Sequence, residues 1–145
     1  AAGTVSVTTL VFQGDCLVEG RVSGTALVTD ADLALSLVDA ATGIVRQPGH
    51  PLFGTSVAGR VLIFPSGSGS SSGSYRLLHL AERKTAPIAI INVQANAVVT
   101  AGAVLGQVPL LHKLAPDPIR TIKSGDTVDV TATPGVVVVR RDGDA

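Results

Sequence analysis

The chain has 145 residues, with eleven Lys and Arg against eleven Asp and Glu, a length that holds one domain with its own core and needs no disulfide or metal staple. Its charges are scattered, which excludes an electrostatic footprint for a nucleic-acid backbone or an anionic membrane. Aromatic residues make up 3% of the chain, too few to build a stacking platform for single-stranded nucleic acid.

Taken in chain order, the opening residues show no charged-then-apolar signal pattern, and no apolar run approaches the ~18 residues of a membrane span. The expectation is one domain over residues 1–145, in the cytoplasm. Residues Cys16 to Val28 carry strand-like segments broken at Gly20 and Gly24, which predicts bulges or turns there. Cys16 is the single cysteine, so no internal disulfide exists, and its apolar neighbours predict a small buried hydrophobe. Leu33 to Val38 alternates with small residues, and Asp39 to Gly43 reads as a turn that an Asx-type hydrogen bond would explain. Gln47 to Gly54, with two prolines and His50, is a predicted loop, in which His50 either approaches a substrate or, the favoured reading, anchors the loop by a hydrogen bond.

Val61 to Phe64 is a continuous apolar run, as in a strand covered on both faces. Residues 65–74, Pro-Ser-Gly-Ser-Gly-Ser-Ser-Ser-Gly-Ser, follow, and then a helical pattern with Leu77, Leu78 and Ala81 on its apolar face. The serines at its mouth are suited to cap it, since a hydroxyl can accept from an otherwise unpaired backbone N–H. His79 stands among leucines and is expected to be a packing histidine. Ala86 to Val93 reads as a buried strand, Ala97 to Leu105 as a short helix, and Val108 to Leu111 as a further strand. His112 has no acidic companion nearby in sequence and receives no role. The strand–helix–strand–helix–strand order predicts a parallel sheet segment. Thr121 to Asp126 is a turn, Thr127 to Thr131 a strand, and Pro134-Gly135 turns the chain into a last strand, Val136 to Val139. The fold class is therefore α/β, a central parallel segment with short helices and β-rich ends.

Mean hydropathy is +0.45, high for a chain without a membrane segment. Either the core is rich in Ala and Val, or part of the surface is hidden against a partner. Low charge also argues against a hyperthermophilic source.

The serine-glycine turn admits three readings. A flexible linker has this composition, but splitting the chain there leaves two halves each at the margin of independent stability. A purely structural strand-to-helix turn is the second reading. The third is an anion cradle, in which backbone N–H groups and the helix dipole converge on one point. No Lys follows the glycines as a nucleoside-triphosphate loop requires, and Gly67, Gly69 and Gly73 miss the dinucleotide spacing by one. A carboxylate or a phosphate-bearing small molecule is the ligand class that remains.

Gly67-Ser68-Gly69-Ser70-Ser71 resembles the G-x-G-S-S core on the small, swivelling domain of aconitase-type enzymes. In ordinary aconitases an Arg that binds substrate carboxylate follows the serines; here Ser72 takes its place. The longer stretch from Gly59 to Tyr75, together with Val18-Glu19-Gly20, Val38 to Gly43, His50 to Gly54 and Ser124-Gly125-Asp126, is similar to the aconitase X branch. The resemblance implies a swivelling β/β/α domain. It also implies the small subunit of a hydro-lyase that is inactive alone and dehydrates a small hydroxy carboxylate. Ser70 would be the base, with Gly67, Ser68, Gly69, Ser71 and Ser72 around the substrate. The metal, an iron or iron–sulfur centre, would sit in a large partner subunit, with no metal ligand and no cofactor supplied by this chain. Low charge favours cis-3-hydroxy-L-proline as substrate. Phosphomevalonate dehydration is the alternative, and a carboxylate- or phosphate-binding module without catalysis is the reading from another class.

Overall fold

The computed structural model describes residues 7–142. Seven strands form one closed barrel: β1 (Val7–Val18), β2 (Arg21–Val28), β3 (Val61–Phe64), β4 (Ala89–Asn92), β5 (Leu110–Ala115), β6 (Thr127–Thr131) and β7 (Val136–Asp142). Around the barrel the order is β1-β5-β4-β3-β2-β6-β7. Strands β2, β3, β4 and β5 run parallel, with Leu62 opposite Ile90 and Ile90 opposite Leu110. The antiparallel strands β1, β6 and β7 close the circle, with Val11 opposite Val138 and Val22 opposite Val130. Closure leaves no unpaired edge.

Helix α1 (Gly73–Glu82) connects β3 to β4, and α2 (Ala97–Gly106) connects β4 to β5. A third, one-turn helix, α3 (Pro118–Thr121), leads toward β6. It lies ahead of the turn read from sequence, sharing only Thr121 with it, and begins where the Asp117 side chain accepts from the Ile119 N–H.

Alternation along the strands divides the buried residues into two sets. Val61, Ile63, Ala89, Ile91 and Leu111 point into the barrel beside Phe12, Val128, Val137 and Val139. Leu62, Phe64, Ile90 and Leu110 point outward and are covered by Leu77 and Leu80 of α1, by Val99 and Ala103 of α2, and by Leu33, Leu35, Val45 and Val57. The last four belong to the long β2–β3 excursion, which carries a 3-10 turn at Leu35–Leu37. Strands β3 and β4 are buried on both faces, which is why all of β3 and the first three residues of β4 are apolar.

Several expectations change. The apolar face of α1 is Gly73, Leu77 and Leu80 rather than Leu77, Leu78 and Ala81. The helix crosses α2 closely at Gly102, where an added Cβ would meet Leu77 Cβ at 3.1 Å, and that contact sets its rotation. The break between β1 and β2 is at Gly20, but β2 runs unbroken through Gly24. There a Cβ would collide with Ile88 Cδ1, so Gly24 serves close packing, not a bulge. Strand β1 begins well before Cys16. Cys16 itself is half-buried against the barrel core, with Sγ 3.8 Å from Thr133 Oγ1.

Candidate functional site

The parallel strands β3 and β4 end at Phe64 and Asn92, at the end of the barrel where open α/β sheets collect their ligands. The serine-glycine turn leaves from there. Its first half is held like a strand: the Leu33 N–H donates to Ser66 O at 3.2 Å, and the Ser68 N–H donates to Leu33 O at 3.0 Å. Gly67 lies so close to α2 that a Cβ would sit 2.7 Å from Val99 Cγ2 and 2.9 Å from the Asn96 amide. Gly69 reverses the chain with φ of +78°, where a Cβ would also press on Ala34 Cβ at 2.9 Å. These two positions require glycine, one for space and both for the path that follows.

That path lifts Gly69, Ser70, Ser71 and Ser72 into solvent. Ser70 Oγ accepts from the Ser72 N–H at 3.1 Å and lies 2.9 Å from Ser72 Oγ. The Ser70 carbonyl accepts from the Gly73 N–H at 3.1 Å. Ser72, the residue before α1, makes no capping bond with its own side chain. The serine hydroxyl that accepts from the helix mouth is therefore that of Ser70, bonded two residues on as an N-cap bonds to the first helical turn. Among the described residues, none accepts from the N–H of Gly69, Ser70 or Ser71. These donors belong to the same exposed turn as the Ser70 hydroxyl, which is held by the Ser72 N–H at the positive end of a ten-residue helix. The arrangement is suited to an oxygen that carries negative charge. The Ser68 N–H is not part of it, being spent on Leu33. The turn is bonded to Leu33 on the side of β3 and leads directly into α1 on the other.

Residues 11–139 match the family described as the aconitase X swivel domain. The chain belongs to that family. A protein named phosphomevalonate dehydratase small subunit, from Methanocella arvoryzae, is 44% identical over 127 residues, which are 87% of this chain and 96% of that protein. A protein of the same name from Methanosarcina mazei is 37% identical over 134 residues, 92% of this chain and 93% of that one. The crystal structure of Thermococcus kodakaraensis aconitase X in its holo form superposes with a TM-score of 0.85 at 33% identity, covering 90% of this chain and 98% of that one. The mixed α/β fold, sheet-dominated with a few short helices, is thus the aconitase X swivel fold.

In this swivel domain the other candidates fall into structural places. His50 Nδ1 accepts from the Leu52 N–H at 3.0 Å while Nε2 stands 3.1 Å from Asp32 O, so the ring carries its proton on Nε2 and anchors its loop. Asp39 Oδ2 accepts from the N–H and hydroxyl of Thr42 at 3.0 and 2.6 Å, closing the turn. Those bonds, the hydroxyl's foremost, hold its carboxyl below the usual range. His79 is not a packing histidine. It lies on the exposed side of α1, because the helix buries Leu77 and Leu80.

Three residues near the turn carry roles that sequence reading missed. His112 is buried, and its Nδ1 accepts from the Ala95 N–H at 3.0 Å. Asn92 is fully buried; its Nδ2 donates to Phe64 O at 3.0 Å, and its Oδ1 has no partner among the described residues. Asn96 caps α2 through Oδ1, which accepts from the Val99 N–H at 2.9 Å. An Asn ahead of an apolar helical run was the available signal for Asn96. Nothing local marks Asn92. Among the described residues, no helix is long and apolar enough to cross a membrane.

Proposed function

We propose that this chain is the small subunit of a phosphomevalonate dehydratase, with Ser70 as the base that takes the proton from the carbon beside the substrate carboxylate. The observation that carries the reading is the Ser70 hydroxyl held by the Ser72 N–H at 3.1 Å at the mouth of α1. A serine is a weak base in water; donors aimed at its oxygen favour the alkoxide by hydrogen bonding to the charged form. Proton loss from the carbon and departure of the neighbouring hydroxyl as water leave a carbon–carbon double bond. The N–H groups of Gly69 and Ser71, and the hydroxyls of Ser71 and Ser72, are the groups of this chain that can meet a carboxylate or phosphate.

Phosphomevalonate replaces cis-3-hydroxy-L-proline as the preferred substrate because the relatives from Methanocella arvoryzae and Methanosarcina mazei both bear that name. Low charge carries no weight against those names, since it tracks growth temperature and says nothing about substrate. A large partner subunit is part of the proposal. Ser70 stands exposed among the described residues, whereas an alkoxide base needs water excluded by walls around it. Tyr75, on the first turn of α1, and Leu37, in the 3-10 turn packed against that helix, are exposed apolar residues suited to meet the partner beside the turn. The iron or iron–sulfur centre that polarises the departing hydroxyl belongs to the large subunit in this reading. The one cysteine here, Cys16, cannot hold a cluster that needs several thiolates.

The test is to co-express the chain with its large subunit, purify the complex without oxygen, and assay phosphomevalonate and cis-3-hydroxy-L-proline in parallel. Dehydration of phosphomevalonate that needs both chains and falls ~10²–10⁴-fold in Ser70→Ala is the expected result. Turnover of hydroxyproline alone would reassign the substrate. A fully active Ser70→Ala complex would remove the catalytic role and leave a binding module.

A further inference from the structure

We infer that Asn96 is a positioning residue for the Ser70 hydroxyl; the inference rests on Ser70 being the base. Asn96 sits at the N-terminus of α2 in an extended conformation, and its side chain is used at both ends. Oδ1 accepts from the Val99 N–H at 2.9 Å, while Nδ2 donates to Gly67 O at 3.0 Å. The first bond caps α2. The second ties the mouth of α2 to the turn that presents Ser70, three residues on.

The choice of side chain separates these two tasks. Ser, Thr and Asp cap a helix about as well as Asn, because capping needs only an acceptor. Only Asn among them also brings an amide N–H₂ to donate. The contact with Gly67 is tight on the same side, since a Cβ there would lie within 2.9 Å of both amide atoms of Asn96. The turn is thus gripped at Gly67 by the Asn96 amide and at Ser68 by Leu33 O.

Further bonds brace the same junction. Ser74 Oγ donates to Val98 O at 2.9 Å, joining the first turns of α1 and α2. The fully buried Asn92 donates to Phe64 O at 3.0 Å, where the chain leaves β3 for the turn. Its Oδ1 stays without a partner among the described residues, an expense that an apolar residue would avoid. His112 holds the N–H of Ala95, the residue before Asn96. The exposed serines therefore stand on a frame tied to α2 at two points, by Asn96 where the chain enters the turn and by Ser74 where it leaves for α1. A shift of about 1 Å in a reacting group can cost ~10²-fold in rate.

The discriminating variant is Asn96→Ser, which keeps a capping oxygen and deletes the donor to Gly67. It is compared, in the complex with the large subunit, with Ser70→Ala and with Thr100→Val. The last removes the Thr100 hydroxyl bond to Asn96 O at 2.8 Å and loosens α2 without touching the turn. For Asn96→Ser we expect kcat down ~10–100-fold, KM within about twofold of wild type and an unchanged Tm. With substrate deuterated beside the carboxylate, the isotope effect on kcat should rise, because proton removal becomes more rate-limiting. Thr100→Val should lower Tm and leave kcat alone. Wild-type kcat in Asn96→Ser, with Ser70→Ala inactive, overturns the positioning role and leaves Ser70 as the base. A kcat loss that merely follows a lower Tm or a failing complex, with no change in isotope effect, makes Asn96 a helix cap only and overturns it as well. An active Ser70→Ala complex defeats the underlying function first, and this inference with it.

Discussion

Ser72 gives its backbone N–H to Ser70 Oγ across 3.1 Å, and its own hydroxyl oxygen lies 2.9 Å from the same atom. One residue thus supplies two possible donors to a single oxygen. In an aconitase-type turn with Arg at this place, the side chain would serve substrate instead. The two donors differ in permanence, since the N–H is held by the entry into α1 and the hydroxyl rotates.

Ser72→Ala removes the adjustable donor and keeps the fixed one. Turnover of the complex should fall by about tenfold, less than the ~10²–10³ that loss of a main oxyanion donor costs. The exposed position predicts unchanged folding, within about 0.5 kcal/mol. Steady-state kinetics and thermal denaturation of the same preparation check both.

Gly69→Ala should destabilise the fold by about 2 kcal/mol. Its φ of +78° strains an L-residue, and the new Cβ would lie 2.9 Å from Ala34 Cβ. Gly54, with φ of +84° and nothing within 4 Å of a Cβ, is the matched control. Gly54→Ala should cost only the backbone part, about 1 kcal/mol. Urea unfolding of both separates conformational strain from the clash.

The barrel is fastened where β7 passes the start of β6. Arg141 Nη2 and Nε donate to Asp126 Oδ2 and Oδ1 at 2.6 and 2.9 Å, and Nη2 also reaches Thr121 O at 2.8 Å. The guanidinium's hydrogen bonds hold the Asp126 carboxyl below its usual 3.8 against the opposing effect of burial. Because the folded value is depressed, this stabilisation is complete above about pH 3.8 and disappears as pH falls through the folded value. Arg141→Met should cost about 2 kcal/mol at neutral pH, leaving a buried carboxylate unpaired. The deficit should shrink in acid, where Asp126 takes a proton, and urea titrations across that range measure it.

His112 predicts a second pH dependence. Burial holds its imidazole below the usual 6.5, with Lys113 acting in the same direction and Asp15 opposing. The folded chain therefore binds fewer protons than the unfolded one between the folded value and 6.5. Stability should be complete above 6.5 and decline as pH falls from there to the folded value. Protonation also removes the lone pair that accepts the Ala95 N–H. His112→Leu should abolish this slope while lowering stability above it; unfolding midpoints one unit to either side of 6.5 decide the matter.

Runs such as Val61–Phe64 and Thr127–Thr131 declared their strands in sequence, with the bounds found in the structure. Local pattern sufficed there, because burial on both faces or on one writes itself into consecutive side chains. The serine-glycine turn was equally plain, and so was the helix after it, although its buried face was misjudged by one position at Leu80. His79 was misplaced with it. Rotation of a short helix depends on what it packs against, and Gly102 of α2 lies 28 residues past Ser74, which its added Cβ would touch.

The amino-acid sequence by itself determined the strand–helix order from β3 to β5, the glycines that let the turn form, and the Ser70–Ser72 group at a helix mouth. These rest on residues adjacent in the chain. Only the tertiary structure decided that β1 closes the barrel by pairing with both β5 and β7, that Asp126 meets Arg141, and that Asn96 holds Gly67. Such contacts join residues whose separation leaves no periodic trace. They form because closing the sheet satisfies its edges and packs two apolar faces at once.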